Sequence, residues 1–163
     1  MQTTTIDSQA GSFTAHFSEH GLAGLDFPSA RQSPAPQRKN GQVSSPNLDR
    51  WKKLTADALQ SALAGKSAKL MPPLDLSSGT AFQQKVWAAL RQIPSGKTRT
   101  YSQVADAVRK PLASRAVGSA CGANPIPVLV PCHRVLPATG GLGGFSAGLE
   151  WKRRLLGVEG VAV

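Results

Sequence analysis

The 163-residue sequence has few cysteines and no long hydrophobic run. No apolar stretch approaches the roughly 20 residues that a membrane-spanning helix needs, and residues 1–10 lack the apolar region of a signal peptide. Cys121 and Cys132 are the only cysteines, too few for a disulfide-stapled scaffold. Together with the three histidines they show no metal-ligand spacing. We therefore expect a cytoplasmic protein of one or two small domains, with reduced thiols, no metal and no membrane association.

Acidic residues are also scarce, because nine Asp and Glu stand against 19 Lys and Arg, a net charge of +10. The excess is uneven along the chain. Residues 79–163 contain eleven basic and three acidic side chains (+8), whereas residues 1–78 contain eight and six (+2). A positive field of this kind suits a polyanionic partner, nucleic acid first and an anionic membrane surface second. A general contribution to solubility is the alternative that composition leaves open.

The most informative stretch is residues 124–136, which read NPIPVLVPCHRVL. The apolar run Ile126–Val130 has the length of a buried strand, and Pro131 ends it directly before Cys132. A free thiol ionises near pH 8.5, so Cys132 needs a neighbouring base or positive charge to act as a nucleophile. His133 can act as such a base, and the arginine after it can supply the positive charge. A buried, inert cysteine beside an exposed basic pair is the alternative.

The amino-terminal part predicts a small sheet followed by a helix. Gly11–Phe17 and Gly21–Phe27 carry apolar residues on both sides of a turn, which indicates a β-hairpin. Residues 28–46 are rich in Pro, Ser, Gln and Asn and predict an exposed loop. Apolar side chains then recur at helical spacing from about residue 47 to about residue 64.

The second part, residues 79–163, is predicted to be mostly helical. Thr80 and the glutamine three residues later make a capping box for its first helix. Two more helices begin near Ser102 and Leu112, and the tight basic turn between them resembles a helix-turn-helix. A last helix is expected over Leu149–Leu156. The predicted fold class is α/β, with a sheet-plus-helix domain over 1–78 and a mostly helical domain after it.

The predicted helix from Leu112 to Gly122 is unusual because its side chains are small. The small residues are Ala113, Ser114, Ala116, Gly118, Ser119 and Ala120. Arg115 is the one long exception. Small residues allow a helix to enter a narrow groove of DNA, where an arginine can occupy a place in the base stack. Tight packing between helices would explain the same composition.

The string Pro-Cys-His-Arg-Val, with Asn-Pro starting eight residues before Cys132 and a glycine-rich loop after it, closely resembles the active-site signature of the O6-alkylguanine-DNA alkyltransferases. The resemblance keeps its spacings from about Thr80 to Gly160, whereas the first 78 residues resemble the family only loosely. It implies DNA repair by direct reversal of damage. An alkyl group would pass from O6-alkylguanine, with O4-alkylthymine as a further candidate, to Cys132 in one irreversible turnover without a cofactor.

The resemblance also implies catalytic roles for the matching positions. His133 would take the thiol proton through a water, Glu159 would orient His133, and Asn124 would brace the turn that holds Cys132. Tyr101 would lie beside the phosphate and the extruded base. The proton would thus move along a chain from thiol to imidazole, supported by a carboxylate.

For DNA binding, the resemblance implies that the helix of small residues enters the minor groove of double-stranded DNA. Arg115 would take the space of the extruded nucleotide, with Ala116 and Gly118 on the same helix and Tyr101 nearby. The loop residues expected at the guanine pocket are Gly144, Phe145 and Ser146. Phe145 departs from the tyrosine that is frequent in the family, so no hydroxyl is available there. We expect a monomer, and the sequence leaves cooperative binding along DNA open.

Three other interpretations compete with this one. A non-catalytic, alkyltransferase-like protein would bind the lesion but lack the nucleophile, and Cys132 argues against it. A cysteine hydrolase with a Cys-His-Glu triad would require acyl transfer and turnover. A DNA-binding regulator would explain the helices but not His133 and Glu159 at matching spacings. Cys121 has no adjacent base, so we expect it to pack and not to react.

Overall fold

The computed structural model of the protein describes residues 1–29 and 46–163. Most of the loop predicted over residues 28–46 lies outside the described residues. Within them the fold is α/β, as predicted, with a three-stranded antiparallel sheet, a set of helices and a short parallel ladder. No helix in this part of the chain is long and apolar enough to span a membrane.

The amino-terminal sheet contains the predicted hairpin and one more strand. The strands β1 (Gln2–Ser8), β2 (Gly11–Ser18) and β3 (Gly21–Asp26) are antiparallel in the order β1-β2-β3. Alternate residues of β2 face the core: Phe13, Ala15 and Phe17. β1 was not predicted, because Ile6 is its only buried apolar side chain and the rest of the strand is polar.

Helix α1 (Pro46–Leu63) follows the sheet and confirms the predicted periodic stretch. The chain then returns to the sheet, where the Leu22 amide donates to the Pro73 carbonyl at 2.8 Å. The Leu25 amide also donates to the Pro125 carbonyl at 2.9 Å. Most of the buried apolar residues form one cluster that extends from the sheet to the second part of the chain. The division of the chain at residue 79 stays a prediction.

The second part contains the four predicted helices. They are α2 (Ala81–Leu90), α3 (Tyr101–Ala107), α4 (Ser114–Gly122) and α5 (Leu149–Val158). The predicted capping box at Thr80 is present, and Thr100 makes a second one at the start of α3. α5 extends two residues beyond the predicted end at Leu156, and the chain turns at Gly160, where φ is 81°.

The strand predicted over Ile126–Val130 is wrong, because this segment is a buried turn. The Val130 amide donates to the Ile126 carbonyl at 2.9 Å, which closes the backbone into a loop. Val128 has a φ of 73°, in the left-handed region that a strand excludes and a β-branched residue rarely adopts. The apolar side chains fill the core around the turn. A continuous run of apolar residues therefore indicates burial but does not by itself indicate an extended backbone.

The strand near the cysteine comes after it. β4 (Arg99–Thr100) pairs in parallel with β5 (Val135–Leu136). Cys132 lies in the short 3₁₀ helix Cys132–Arg134, which immediately precedes β5. The ladder therefore ties the start of α3 to the segment that carries the thiol.

Candidate active site

Cys132 lines a cavity of about 280 Å³ between α3, α4 and the glycine-rich loop. This volume is near the lower end of the roughly 300–1,000 Å³ typical of small-molecule sites. The residues that line it are Tyr101, Gly118, Cys121, Gly122, Cys132, Gly144, Phe145 and Ser146. The structure thus brings Cys132 together with the tyrosine and the three loop residues that the sequence predicted at the pocket. No cluster of three or more potential metal-binding side chains occurs within residues 1–29 and 46–163.

His133 and Glu159 form a buried pair behind the thiol. His133 Nε2 lies 2.9 Å from Glu159 Oε1, and both side chains are almost fully buried. An ionised carboxylate only accepts hydrogen bonds, so Nε2 carries the hydrogen in a neutral imidazole. His133 Nδ1 is buried and makes no hydrogen bond with any described residue. Its lone pair is therefore the one left to receive a proton.

Arg134 completes this network by binding the same carboxylate. Its Nε lies 3.0 Å from Glu159 Oε2, its Nη2 lies 2.6 Å from Oε1, and its Nη1 donates to the Ile93 carbonyl at 2.7 Å. In the sequence, Arg134 is a candidate for the positive charge beside the thiol. The structure shows that its guanidinium fixes the position of Glu159 instead.

The pKa shifts describe a neutral thiol and imidazole beside a charged carboxylate. Burial alone would raise the pKa of Glu159, but hydrogen bonds from His133 and Arg134 lower it to about 2. Burial lowers the pKa of His133, although Glu159 acts in the opposite direction. Burial raises the pKa of Cys132, against the effects of Asn124 and Lys152. These shifts disfavour a permanent ion pair between a Cys132 thiolate and a His133 imidazolium. They favour transfer of the thiol proton only during the reaction.

Asn124 holds the buried turn that leads to Cys132. Its Nδ2 donates to the Val130 carbonyl at 2.8 Å, and its Oδ1 accepts from the Ile126 amide at 3.0 Å. The side chain thus bridges both ends of the turn that contains Val128 in its left-handed conformation. This geometry agrees with the bracing position expected for Asn124.

Lys152 is a site residue that the sequence analysis missed. It lies in a run of three basic residues with Arg153 and Arg154, yet it is only 1% exposed. Its Nζ donates to the Val135 carbonyl at 2.8 Å and to the Gly144 carbonyl at 3.2 Å. Burial lowers its pKa, and its charge offsets part of the rise that burial causes in the pKa of both cysteines. Its spacing from the buried residue Leu155, three residues later on α5, was a signal that it faces the core.

Cys121 lies in the cavity wall, near the acceptor thiol. Burial raises its pKa to about 12, and the proximity of the second titratable thiol, Cys132, adds to the effect. A thiol with this pKa is almost fully protonated at neutral pH. The environment agrees with a packing role, and the absence of transfer to Cys121 stays a prediction.

Helix α4 presents its predicted DNA-binding residues on two sides. Arg115 and Ala116 are exposed, whereas Gly118 lies against the ring of Tyr101 and lines the cavity. The opposite side of α4 is anchored, because Trp87 Nε1 donates to the Ala120 carbonyl at 2.8 Å. The exposed side is therefore held at a fixed position relative to the pocket.

The glycine-rich loop passes close to Tyr101. Gly143 has a φ of 69°, and a Cβ added there would lie 3.1 Å from Tyr101 Oη. Burial raises the pKa of Tyr101, so its hydroxyl keeps its proton and remains a hydrogen-bond donor. Ser146 is exposed at the mouth of the cavity. A base in the cavity would meet donors from both the helix and the loop.

The pKa of Glu159 predicts a pH-dependent loss in the Glu159→Gln variant. The folded-state pKa of about 2 is below the ordinary 4.5, so ionised Glu159 stabilises the fold above pH 4.5 and this stabilisation disappears as the pH falls towards 2. We expect Glu159→Gln to lower the free energy of unfolding at pH 7 by on the order of 2 kcal/mol. Denaturant unfolding at pH 7 and at about pH 3 measures how much the difference shrinks.

The matched control is Glu150→Gln, which removes an exposed carboxylate from α5, the helix that Glu159 follows. It should change the stability little at either pH. An equal loss for Glu159→Gln at both pH values would assign the effect to packing and not to charge.

The comparisons with known proteins agree with this geometry. The family described as "6-O-methylguanine DNA methyltransferase, DNA binding domain" matches residues 81–161. The methylated-DNA--protein-cysteine methyltransferase of Mycobacterium tuberculosis strain H37Rv is 41% identical over 155 residues, which cover 95% of this chain and 90% of that protein. The Escherichia coli K12 protein Ada, a bifunctional transcriptional activator and DNA repair enzyme, is 50% identical over 95 residues, 58% of this chain and 27% of that protein.

A solved structure extends the similarity to the whole fold. The crystal structure of Mycobacterium tuberculosis OGT in complex with DNA matches with a TM-score of 0.78 and 39% identity, covering 98% of this chain and 93% of that chain. The similarity therefore includes the amino-terminal sheet, which the sequence resemblance reached only loosely.

Proposed function

The chain belongs to the methylated-DNA--protein-cysteine methyltransferase family, and we propose that it repairs DNA by moving an alkyl group from O6-alkylguanine to Cys132. The observation that carries the proposal is a cysteine in the wall of a cavity, with a buried His133–Glu159 pair behind it. Cys132 also separates this function from non-catalytic lesion binding, which would need no nucleophile.

The proposed reaction is a substitution at the alkyl carbon. Cys132 Sγ forms a bond to that carbon while the bond from the carbon to guanine O6 breaks, and the electron pair leaves with the guanine. The thiol proton moves to His133 Nδ1, through a bridging water, and Glu159 stabilises the imidazolium without accepting the proton. Water does not cleave the resulting thioether at a useful rate. One protein molecule is therefore consumed for each alkyl group removed.

The cavity residues supply positioning and electrostatic help in this proposal. The Tyr101 hydroxyl and Ser146 would donate hydrogen bonds to the base as negative charge develops on it. Phe145 would pack against the base through its ring alone. The buried ammonium of Lys152 stabilises negative charge near Cys132 and holds the Gly144 carbonyl in place.

We propose double-stranded DNA as the partner and α4 as the element that enters its minor groove. Arg115 and Ala116 are exposed there, and Arg109 and Lys110 are exposed in the turn before the helix. Arg109 and Lys110 would neutralise phosphates, Arg115 would take the space of the extruded nucleotide, and Gly118 would line the cavity beside Tyr101. Both cysteines are free, which fits the reducing environment of the cytoplasm.

The test is the intact mass of the protein after incubation with a duplex that contains O6-methylguanine. We expect a gain of one methyl group per molecule, in the wild type and in Cys121→Ser alike, because the Cys121 thiol stays protonated. Peptide mapping should find the label on Cys132. A stoichiometric label on Cys121 would contradict the single-acceptor mechanism, and an unchanged mass would contradict the proposed function.

A further inference from the structure

A chain of aromatic rings connects the amino-terminal sheet to the wall of the cavity. Phe13 of β2 contacts Phe27, just after β3, with ring centroids 5.5 Å apart. Phe27 contacts Trp151 of α5 at 4.8 Å and Phe145 of the glycine-rich loop at 5.7 Å, the latter edge to face at 78°. Phe13 also contacts Trp151 at 5.8 Å. Phe27 is therefore the ring that joins the sheet to Phe145.

The loop around Phe145 is mostly exposed to solvent. Gly143, Gly144, Ser146 and Gly148 are exposed, whereas Phe145 is half-buried. The backbone is held by the bond from the Gly148 amide to the Phe145 carbonyl at 3.0 Å and by the bond from Lys152 to the Gly144 carbonyl. Both bonds are made to backbone carbonyls, so neither fixes the orientation of the Phe145 ring. The ring has no hydroxyl group that could fix it through a hydrogen bond of its own. An edge-to-face contact does restrict the orientation of both rings.

We propose that Phe27 is a positioning residue for the reaction, because it sets the orientation of the Phe145 ring in the cavity wall. The amino-terminal sheet thereby helps to determine the shape of the base pocket. Loss of the Phe27 ring lets Phe145 rotate or withdraw, and the target base then binds farther from Cys132. This inference rests on the proposed function, since it assigns Phe145 to a base pocket.

The test compares Phe27→Ala, Phe27→Tyr and Phe17→Leu. Phe17 is a buried residue of the same sheet, and no ring contact within the described residues joins it to the loop. The measurements are the melting temperature and the single-turnover rate on an O6-methylguanine duplex and on free O6-benzylguanine. The rate at which iodoacetamide labels Cys132 measures the reactivity of the thiol when no base occupies the pocket.

A displaced reacting group can slow a reaction by up to about 100-fold, so we expect Phe27→Ala to slow both transfer reactions by about tenfold. Phe27→Tyr keeps the ring and should stay within about twofold of the wild type, as should Phe17→Leu despite its lower melting temperature. Iodoacetamide labelling should change by less than about twofold in every variant. A wild-type transfer rate in Phe27→Ala would overturn the proposal, and so would equal slowing in Phe17→Leu.

Hydrogen exchange at the Gly148 amide separates this inference from the proposed function. The amide is bonded to the Phe145 carbonyl, so its exchange should be faster in Phe27→Ala and unchanged in Phe17→Leu. A wild-type protein that takes no alkyl group would overturn the proposed function, and the exchange result would still decide whether Phe27 positions the loop. Unchanged exchange in Phe27→Ala would count against that role.

Discussion

We expect Cys132→Ala to abolish alkyl transfer while leaving the binding of lesion-containing DNA nearly unchanged. The variant removes the sulfur that forms the new bond, and the remaining cysteine has a pKa raised to about 12. Phosphate contacts supply most of the affinity of a basic protein for DNA, so the dissociation constant should stay within about threefold of the wild-type value. Intact-mass analysis measures the transfer, and a fluorescence-anisotropy titration at fixed salt measures the binding.

Two controls make the Cys132→Ala result specific. Cys121→Ala alters the same cavity wall without touching the acceptor, and it should still gain one alkyl group per molecule. Circular dichroism and the melting temperature establish that both variants are folded. An alkyl group found on any other residue of Cys132→Ala would disprove the assignment of the nucleophile. A large loss of DNA affinity would mean that the thiol region belongs to the DNA-binding surface.

The elements that the sequence predicted well are those with a strong local signal. The alternation around Phe13 and the capping box at Thr80 are both present in the structure. In these segments the same short stretch of chain determines both the conformation and the buried face. Propensity, pattern and packing then agree, which is why local reasoning succeeds.

The buried turn before Cys132 shows where local reasoning fails. The residues from Ile126 to Val130 are apolar because they fill the core, and burial alone does not distinguish a strand from a turn. The turn depends on hydrogen bonds from Asn124 and on the left-handed conformation of Val128. A valine gives no sign in the sequence that it adopts such a conformation.

The site was predictable as a set of residues but not as a geometry. The motif identified Cys132 and His133, and the resemblance added Glu159. The role of Lys152 could not be predicted in the same way, because its two acceptors are the backbone carbonyls of Val135 and Gly144. Backbone acceptors carry no side-chain signal, so only the folded structure shows that this lysine joins β5 to the loop.

Among the exposed residues, Arg115 should have the largest effect on the rate of alkyl transfer from duplex DNA. It is exposed on α4, whose other exposed residues are small, and α4 is anchored to α2 through Trp87. Extruding a base from duplex DNA costs a few kcal/mol, and an arginine that fills the vacated space offsets part of this. A free nucleobase needs no extrusion. The contribution of Arg115 should therefore depend on the substrate.

We expect Arg115→Ala to slow transfer from an O6-methylguanine duplex by roughly 100-fold, which corresponds to about 3 kcal/mol. Inactivation by free O6-benzylguanine should stay within about twofold of the wild type, because the pocket is intact. Arg115→Lys keeps the charge but not the planar group, and should recover only part of the duplex rate. The matched control Arg153→Ala removes an exposed cation of α5 and should leave the ratio of the two rates unchanged. Equal slowing of Arg115→Ala on both substrates would show that Arg115 supports the fold or the pocket and takes no part in base extrusion.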